Sequence, residues 1–227
     1  MEHLNFLKNL ISNMFKIKSI YQNTVLYRSY IKWLIYIDNK NILNENNKVR
    51  GPLIDKYLPK NKTGAELGVL LGNFSKILLK YSNAKELHLV DLWYFFGSEW
   101  NWAGGNASTV DALIKVLKEN KKEINESKII VHVQDDLIFL KEKPDNYFDW
   151  VYIDSAHEYE HTIKELELLI KKVKLNGIVC GDDWRPNPIH RHHGVYKAVM
   201  EFVEKGYFEI LYSNDQDLQW FLKLVLK

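Results

Sequence analysis

Cysteine is almost missing from this sequence: Cys180, set in an apolar run, is the only one among 227 residues. It can build neither a disulfide framework nor a Cys-rich metal site, and a reducing, cytoplasmic compartment is the expectation. An excess of either charge is missing too. Lys plus Arg number 31 against 29 Asp plus Glu, a net charge of +2, which is too balanced for a nucleic-acid-binding surface. A long apolar run is the third absence. Residues 1–20 carry apolar positions at helical spacing, but Lys8, Asn9, Asn13, Lys16 and Lys18 interrupt them, so neither a signal peptide nor a membrane span is expected.

No internal repeat divides the chain, and 46% hydrophobic residues in this length suit one domain with a full core. Within residues 1–50, Leu4, Leu7, Leu10, Ile11, Met14 and Phe15, then Leu26, Tyr30, Trp33 and Leu34, are spaced for two or three amphipathic helices. Their apolar face needs a partner, either the main domain or a second copy of the chain, which would make a homo-oligomer. The main domain is expected over residues 51–227, entered through a linker or short helix that contains Pro52 and Pro59.

After Lys62, short apolar strands near 65–69, 86–91, 128–133, 149–153 and 177–181 alternate with helices near 73–81, 109–120, 159–173 and 194–205. This alternation predicts an α/β fold, a doubly wound, mainly parallel sheet covered on both faces. Tyr207–Tyr212 and Leu218–Leu226, separated by Ser213, Asn214, Asp215 and Gln216, predict a C-terminal antiparallel hairpin.

Ligands of an open α/β sheet lie beyond the carboxyl ends of its strands. After the first strand, Gly68 and Gly72 stand where the chain turns toward a helix, with Glu66 two residues before the first glycine. A dinucleotide fingerprint would place glycine at 70 and 73, which are Leu70 and Asn73. Glu66 can instead accept from the amino group of a bound amino acid, and Asp91, ending the second strand, can take the hydroxyls of a ribose. Asp135 and Asp136 follow the third strand, where one can meet an adenine amino group and either can cap the next helix.

Two apolar strands then end abruptly in acids: Asp154 after the fourth, Asp182 and Asp183 after the fifth. Three carboxylates converging on one edge repel one another unless a cation offsets them, and Mg²⁺ is the natural occupant; helix capping by one or two of them is the alternative. His157, three residues beyond Asp154, is placed to act as a base of near-neutral pKa or as a structural hydrogen-bonder.

Glu66-x-Gly68-x-x-x-Gly72, Val90-Asp91-Leu92-Trp93, Ile153-Asp154-x-x-His157-x-Tyr159 and Gly177-Ile178-x-x-x-Asp182-Asp183 together resemble the class I S-adenosylmethionine (SAM)-dependent methyltransferases. The likeness covers about Thr63 to Phe202. It points to the macrocin-type sugar O-methyltransferases, the cephalosporin-hydroxylase-like proteins and, more distantly, catechol O-methyltransferase. The resemblance implies that Glu66, Gly68 and Gly72 hold the methionine part of SAM, Asp91 with Trp93 beside it the ribose, and Asp135 the adenine. It implies Mg²⁺ on Asp154, Asp182 and Asp183; the proton-transfer step is expected of His157, with Asp154 as its rival, on chemistry. The catechol enzyme carries a lysine where His157 stands, so a basic role for His157 follows from its chemistry alone.

The expected reaction is methyl transfer to a small-molecule or sugar oxygen. The cationic stretch Arg185, His190, Arg191, His192 and His193 suits an anionic acceptor, such as a phosphorylated or phosphoramidate-bearing precursor of a surface polysaccharide, or is a solvated loop. The aromatic stretch from Trp93 to Gly105 suits a wall of the site or a packing surface. A nicotinamide-dependent oxidoreductase and a noncatalytic SAM-binding scaffold are the competing expectations.

Overall fold

The computed structural model of the protein describes residues 48–93 and 110–226. The expected helices within residues 1–47, the homo-oligomer contact assigned to them and the aromatic wall from Tyr94 onward lie outside these residues. Helix α1 (48–57) crosses the expected boundary at residue 50 and fills part of the stretch read as a linker. Strand β1 (Thr63–Leu67), helix α2 (Ser75–Ser82), β2 (Glu86–Asp91), α3 (Val110–Glu119) and α4 (Lys121–Asn125) follow. Then come β3 (Ile129–Val133), α5 (Asp136–Glu142), β4 (Phe148–Ile153), α6 (Tyr159–Lys172), β5 (Val173–Gly181), α7 (His193–Glu204), β6 (Phe208–Ser213) and β7 (Trp220–Leu224).

The seven strands form one sheet in the order β3-β2-β1-β4-β5-β7-β6. The first five run parallel, and β7 inserts antiparallel between β5 and β6. Successive strand side chains point to opposite faces, so a strand buried on both sides feeds two cores. In β4, Val151 and Ile153 join the core that receives Phe139, Leu166 and Val199 from α5, α6 and α7. Trp150 and Tyr152 join the other, with Ile54, Leu78 and Val116 from α1, α2 and α3. Helix α6 turns Thr162, Glu165, Leu166 and Leu169 inward, the spacing of one helical face. Cys180 is buried beside Trp150 and Tyr152 in the second core.

Strand β1 ends two residues earlier than its apolar run predicts. Gly68 has φ +84, and a Cβ there would lie 2.0 Å from the Asp154 carbonyl oxygen. The ends of β1 and β4 therefore approach closely only because residue 68 is glycine. No helix among the described residues is long and apolar enough to cross a membrane.

Candidate active site

The carboxyl edge is stitched laterally by backbone hydrogen bonds: Gly68 N–H to Val90 C=O at 2.9 Å, Asp154 N–H to Leu67 C=O at 2.8 Å, and Asp182 N–H to Ile153 C=O at 3.1 Å. These bonds put Glu66, Asp91, Asp154, Asp182 and Asp183 along one rim.

On the β1–β2 side, Asp91 faces the glycine loop. Its Oδ2 accepts the N–H groups of Val69 at 2.9 Å and Leu70 at 2.7 Å, and its Oδ1 accepts Trp93 N–H at 3.3 Å. Trp93 is buried and donates its indole N–H to Leu70 C=O at 2.8 Å. From α3, Lys115 reaches the same loop, donating to Leu71 C=O and to the Asn73 side-chain oxygen. Glu66 is 1% exposed and accepts from the Ser75 hydroxyl. Burial, with some help from Asp154 and Asp91, pushes its carboxyl well above the usual range. An acid in that position wants a proton or a cation. Asp135 caps α5, its Oδ1 accepting Ile138 N–H at 3.0 Å.

The β4–β5 side is organised by side-chain cations. Arg50, from α1, binds Asp182 Oδ2 and lies with its guanidinium 5.1 Å from the Phe74 ring centre. Burial works against its charge, but Tyr152, Asp182 and Asp154 together hold it firmly protonated. The other Asp182 oxygen accepts Gln219 Nε2–H at 2.8 Å, and Gln219 Oε1 accepts the Tyr152 hydroxyl at 2.7 Å. Asp183 Oδ2 meets His157 Nδ1 at 2.9 Å and His192 Nδ1 at 2.7 Å, and the two imidazoles stack with centroids 4.8 Å apart. His157 Nε2 lies 3.8 Å from Asp154 Oδ1.

Burial would raise Asp183 and lower His157, but their mutual hydrogen bond reverses both shifts: Asp183 sits far below the carboxylate range and His157 above the usual imidazole value. His192 is lowered, by burial first and by the neighbouring His157 charge. Of the stacked pair, His157 is therefore the more readily protonated ring. Burial and the Asp182 charge push Asp154 up to about 7. His157 and Asp183 have φ of 58° and 63°, left-handed values that cost a non-glycine residue roughly 1–3 kcal/mol and cluster at functional sites.

The edge gathers the sequence-predicted acids, but Asp154, Asp182 and Asp183 do not form one tight set among the described residues. The ligand atoms that approach within 4.8 Å as trios are those of His157, Asp183 and His192, and of Asp136, His161 and Glu165. Arg50 and Gln219 went unread because nothing near them in sequence marks them. His192 stood out as one of a cationic group, and its pairing with Asp183 had no local signal. Of that group, His193 Nδ1 contacts Arg185 C=O at 2.9 Å, Arg185 Nε lies 3.6 Å from Asp183 Oδ1, and Arg191 is exposed.

Comparison with known proteins agrees with this fold. A family model described as a methyltransferase domain matches residues 65–184, just over half of the chain. A putative methyltransferase from Streptococcus mutans in complex with SAH is similar in structure, with TM-score 0.53 and 13% identity over 78% of this chain and 97% of that one. The N-methyltransferase NodS from Bradyrhizobium japonicum gives TM-score 0.55 and 13% identity over 83% and 99%. A putative rRNA-methylase from Clostridium thermocellum gives 0.56 and 11% over 78% and 94%. At such identities these likenesses speak for the fold alone, and no curated protein matches the chain. The matched segment runs from within β1 to just past β5 and contains every strand-end acid described above, so the chain belongs to the methyltransferase-domain family, as a class I SAM-dependent methyltransferase.

Proposed function

We propose that this methyltransferase transfers the methyl group to an oxygen of a small molecule or sugar, with an anionic surface-glycan precursor as the preferred acceptor class. The observation that carries this reading is the Asp154–His157–Asp183–His192 chain at the ends of β4 and β5. It is a proton-handling group adjoining the rim where Glu66 and Asp91 stand. Glu66, Gly68, Gly72, Asp91, Trp93 and Asp135 are assigned to SAM, and the fit rests on charge. Buried Glu66 lacks a cation within hydrogen-bond reach among the described residues, and the methionine ammonium would supply one. SAM brings a methyl group made electrophilic by its sulfonium.

Asp154 and His157 then have one task, to take the proton that leaves the acceptor oxygen as that oxygen bonds to the methyl carbon and the carbon–sulfur bond breaks. Asp154, at about 7, is matched to neutral conditions, whereas the hydrogen bond to Asp183 favours the protonated form of His157. The stack on His192 and the bond to Asp183 hold the His157 ring in one orientation.

Asp154, Asp182 and Asp183 are the residues that would hold Mg²⁺ by donor type, but Arg50 and Gln219 already engage Asp182, and His157 and His192 engage Asp183, so the three would have to converge on an ion. Bound Mg²⁺ would make the acceptor hydroxyl more acidic. A second reading is favoured by Arg50: a guanidinium already neutralises Asp182, so the protein's own cation can serve the carboxylates. Radiolabelled methyl transfer from SAM to a panel of neutral and anionic hydroxyl compounds, with EDTA or Mg²⁺, tests both. Turnover that EDTA abolishes and Mg²⁺ restores supports the metal, and full turnover in EDTA supports Arg50. SAM binding with no transfer to any oxygen acceptor would leave a binding scaffold.

A further inference from the structure

We propose that Asp136, His161 and Glu165 form a separate divalent-metal site, for a first-row ion such as Zn²⁺, which fastens α5 to α6 beside the loop that carries Asp154 and His157. It stands whether or not methyl transfer uses a metal.

His161 and Glu165 lie one helical turn apart on α6, so their side chains share a face. His161 Nε2 is 2.9 Å from both carboxylate oxygens of Asp136 and 3.9 Å from Glu165 Oε1. A tetrahedral ion with bonds of about 2.0–2.2 Å requires ligand atoms about 3.4 Å apart, and the observed distances bracket that spacing. One imidazole with two carboxylates is a donor set for Zn²⁺ or Mn²⁺ more than for Mg²⁺.

Glu165 provides the independent sign of an occupant. Its side chain is fully buried, Oε1 accepts the Ser155 hydroxyl at 2.6 Å, and Oε2 has no hydrogen-bond partner among the described residues. A buried carboxylate oxygen left bare costs far more than a paired one, unless a proton or a cation meets it. Asp136 and His161 keep 11% and 23% of their side-chain surface, so an ion has an entry path. Ser155 follows Asp154 directly, so an ion here would brace the start of the Asp154–His157 loop.

The experiment is Zn²⁺ titration of the metal-free full chain, with equilibrium dialysis and elemental analysis of the product. Wild type should retain one equivalent that His161→Gln loses or binds at least about tenfold more weakly, since losing a ligand costs at least as much as losing a supporting contact. His192→Ala, which disrupts the other histidine–carboxylate trio, should keep that equivalent. Equal Zn²⁺ stoichiometry in wild type and His161→Gln, or none bound by wild type, overturns the proposal and leaves a proton-sharing cluster. If His161→Gln fails to fold, Co²⁺ added to the His192→Ala chain decides. A visible absorption band displaced by Zn²⁺ supports the site, and its absence overturns it.

Discussion

On the β1–β2 side of the carboxyl edge, the acids are held by neutral donors: Asp91 by the N–H groups of residues 69 and 70, Glu66 by the Ser75 hydroxyl. On the β4–β5 side, Asp182 and Asp183 are held by cationic side chains, one of them 132 positions away on α1. Backbone donors come with the turn that makes the loop, so the first arrangement is built once β1 and β2 pair. Side-chain cations must be delivered by packing, and they carry titratable protons. The first side can therefore be a rigid seat, whereas the second can move charge.

The largest effect should come from the second side. Asp154→Asn should lower kcat by roughly 10²–10⁴-fold, the usual contribution of a general base, while SAM affinity by calorimetry stays near wild type. With Asp154 pushed up to about 7, turnover should rise with pH through that value. Stability should move the opposite way. The folded state holds this proton more tightly than the unfolded chain, whose ordinary value is 3.8, so the advantage of wild type over Asp154→Asn is full below that and fades as pH rises through about 7. Denaturant melts of both proteins at several pH values measure it, and parallel pH profiles would refute the assignment.

Arg50→Ala should cost about 3 kcal/mol of unfolding free energy, because it leaves the mostly buried Asp182 carboxylate without its cation. Adding Asp182→Asn should recover part of that loss, and Mg²⁺ should rescue Arg50→Ala more than wild type if the two cations are alternatives. Additive losses in the double-mutant cycle would show that the contrast between the sides is overdrawn.

Smaller effects are expected on the first side. Asp91→Ala should weaken SAM by about tenfold, near 1.4 kcal/mol, since a charge-assisted contact is lost while the loop keeps its glycines. The smallest is Asp135→Ala, which should cost about 1 kcal/mol of stability as a lost helix cap. Calorimetry should find SAM weakened by less than about threefold if the cap is the main role of Asp135. A tenfold loss would place it with Asp91 in the cofactor seat.

The alternation of strands and helices, the terminal hairpin and the acids at strand ends were legible because each is a local pattern: period two, period 3.6, or an apolar run stopped by a carboxylate. The two-residue error at the end of β1 arose because Val69 extends the apolar run, while the turn is set by the close approach of Asp154 to Gly68. Cys180 also followed from its surroundings, an apolar run that becomes a buried strand.

Sequence alone determined which residue types stand at the rim, since strand ends follow from local hydrophobic periodicity. Only the tertiary structure decided their partners. Arg50 reaches Asp182 from α1, His157 reaches Asp183 from the far side of the β4–β5 edge, and His161 on α6 meets Asp136 on α5. Coulomb attraction and burial act through distance in space, which one-dimensional spacing does not encode, so the identity of each counter-charge appears only when the helices are packed on the sheet.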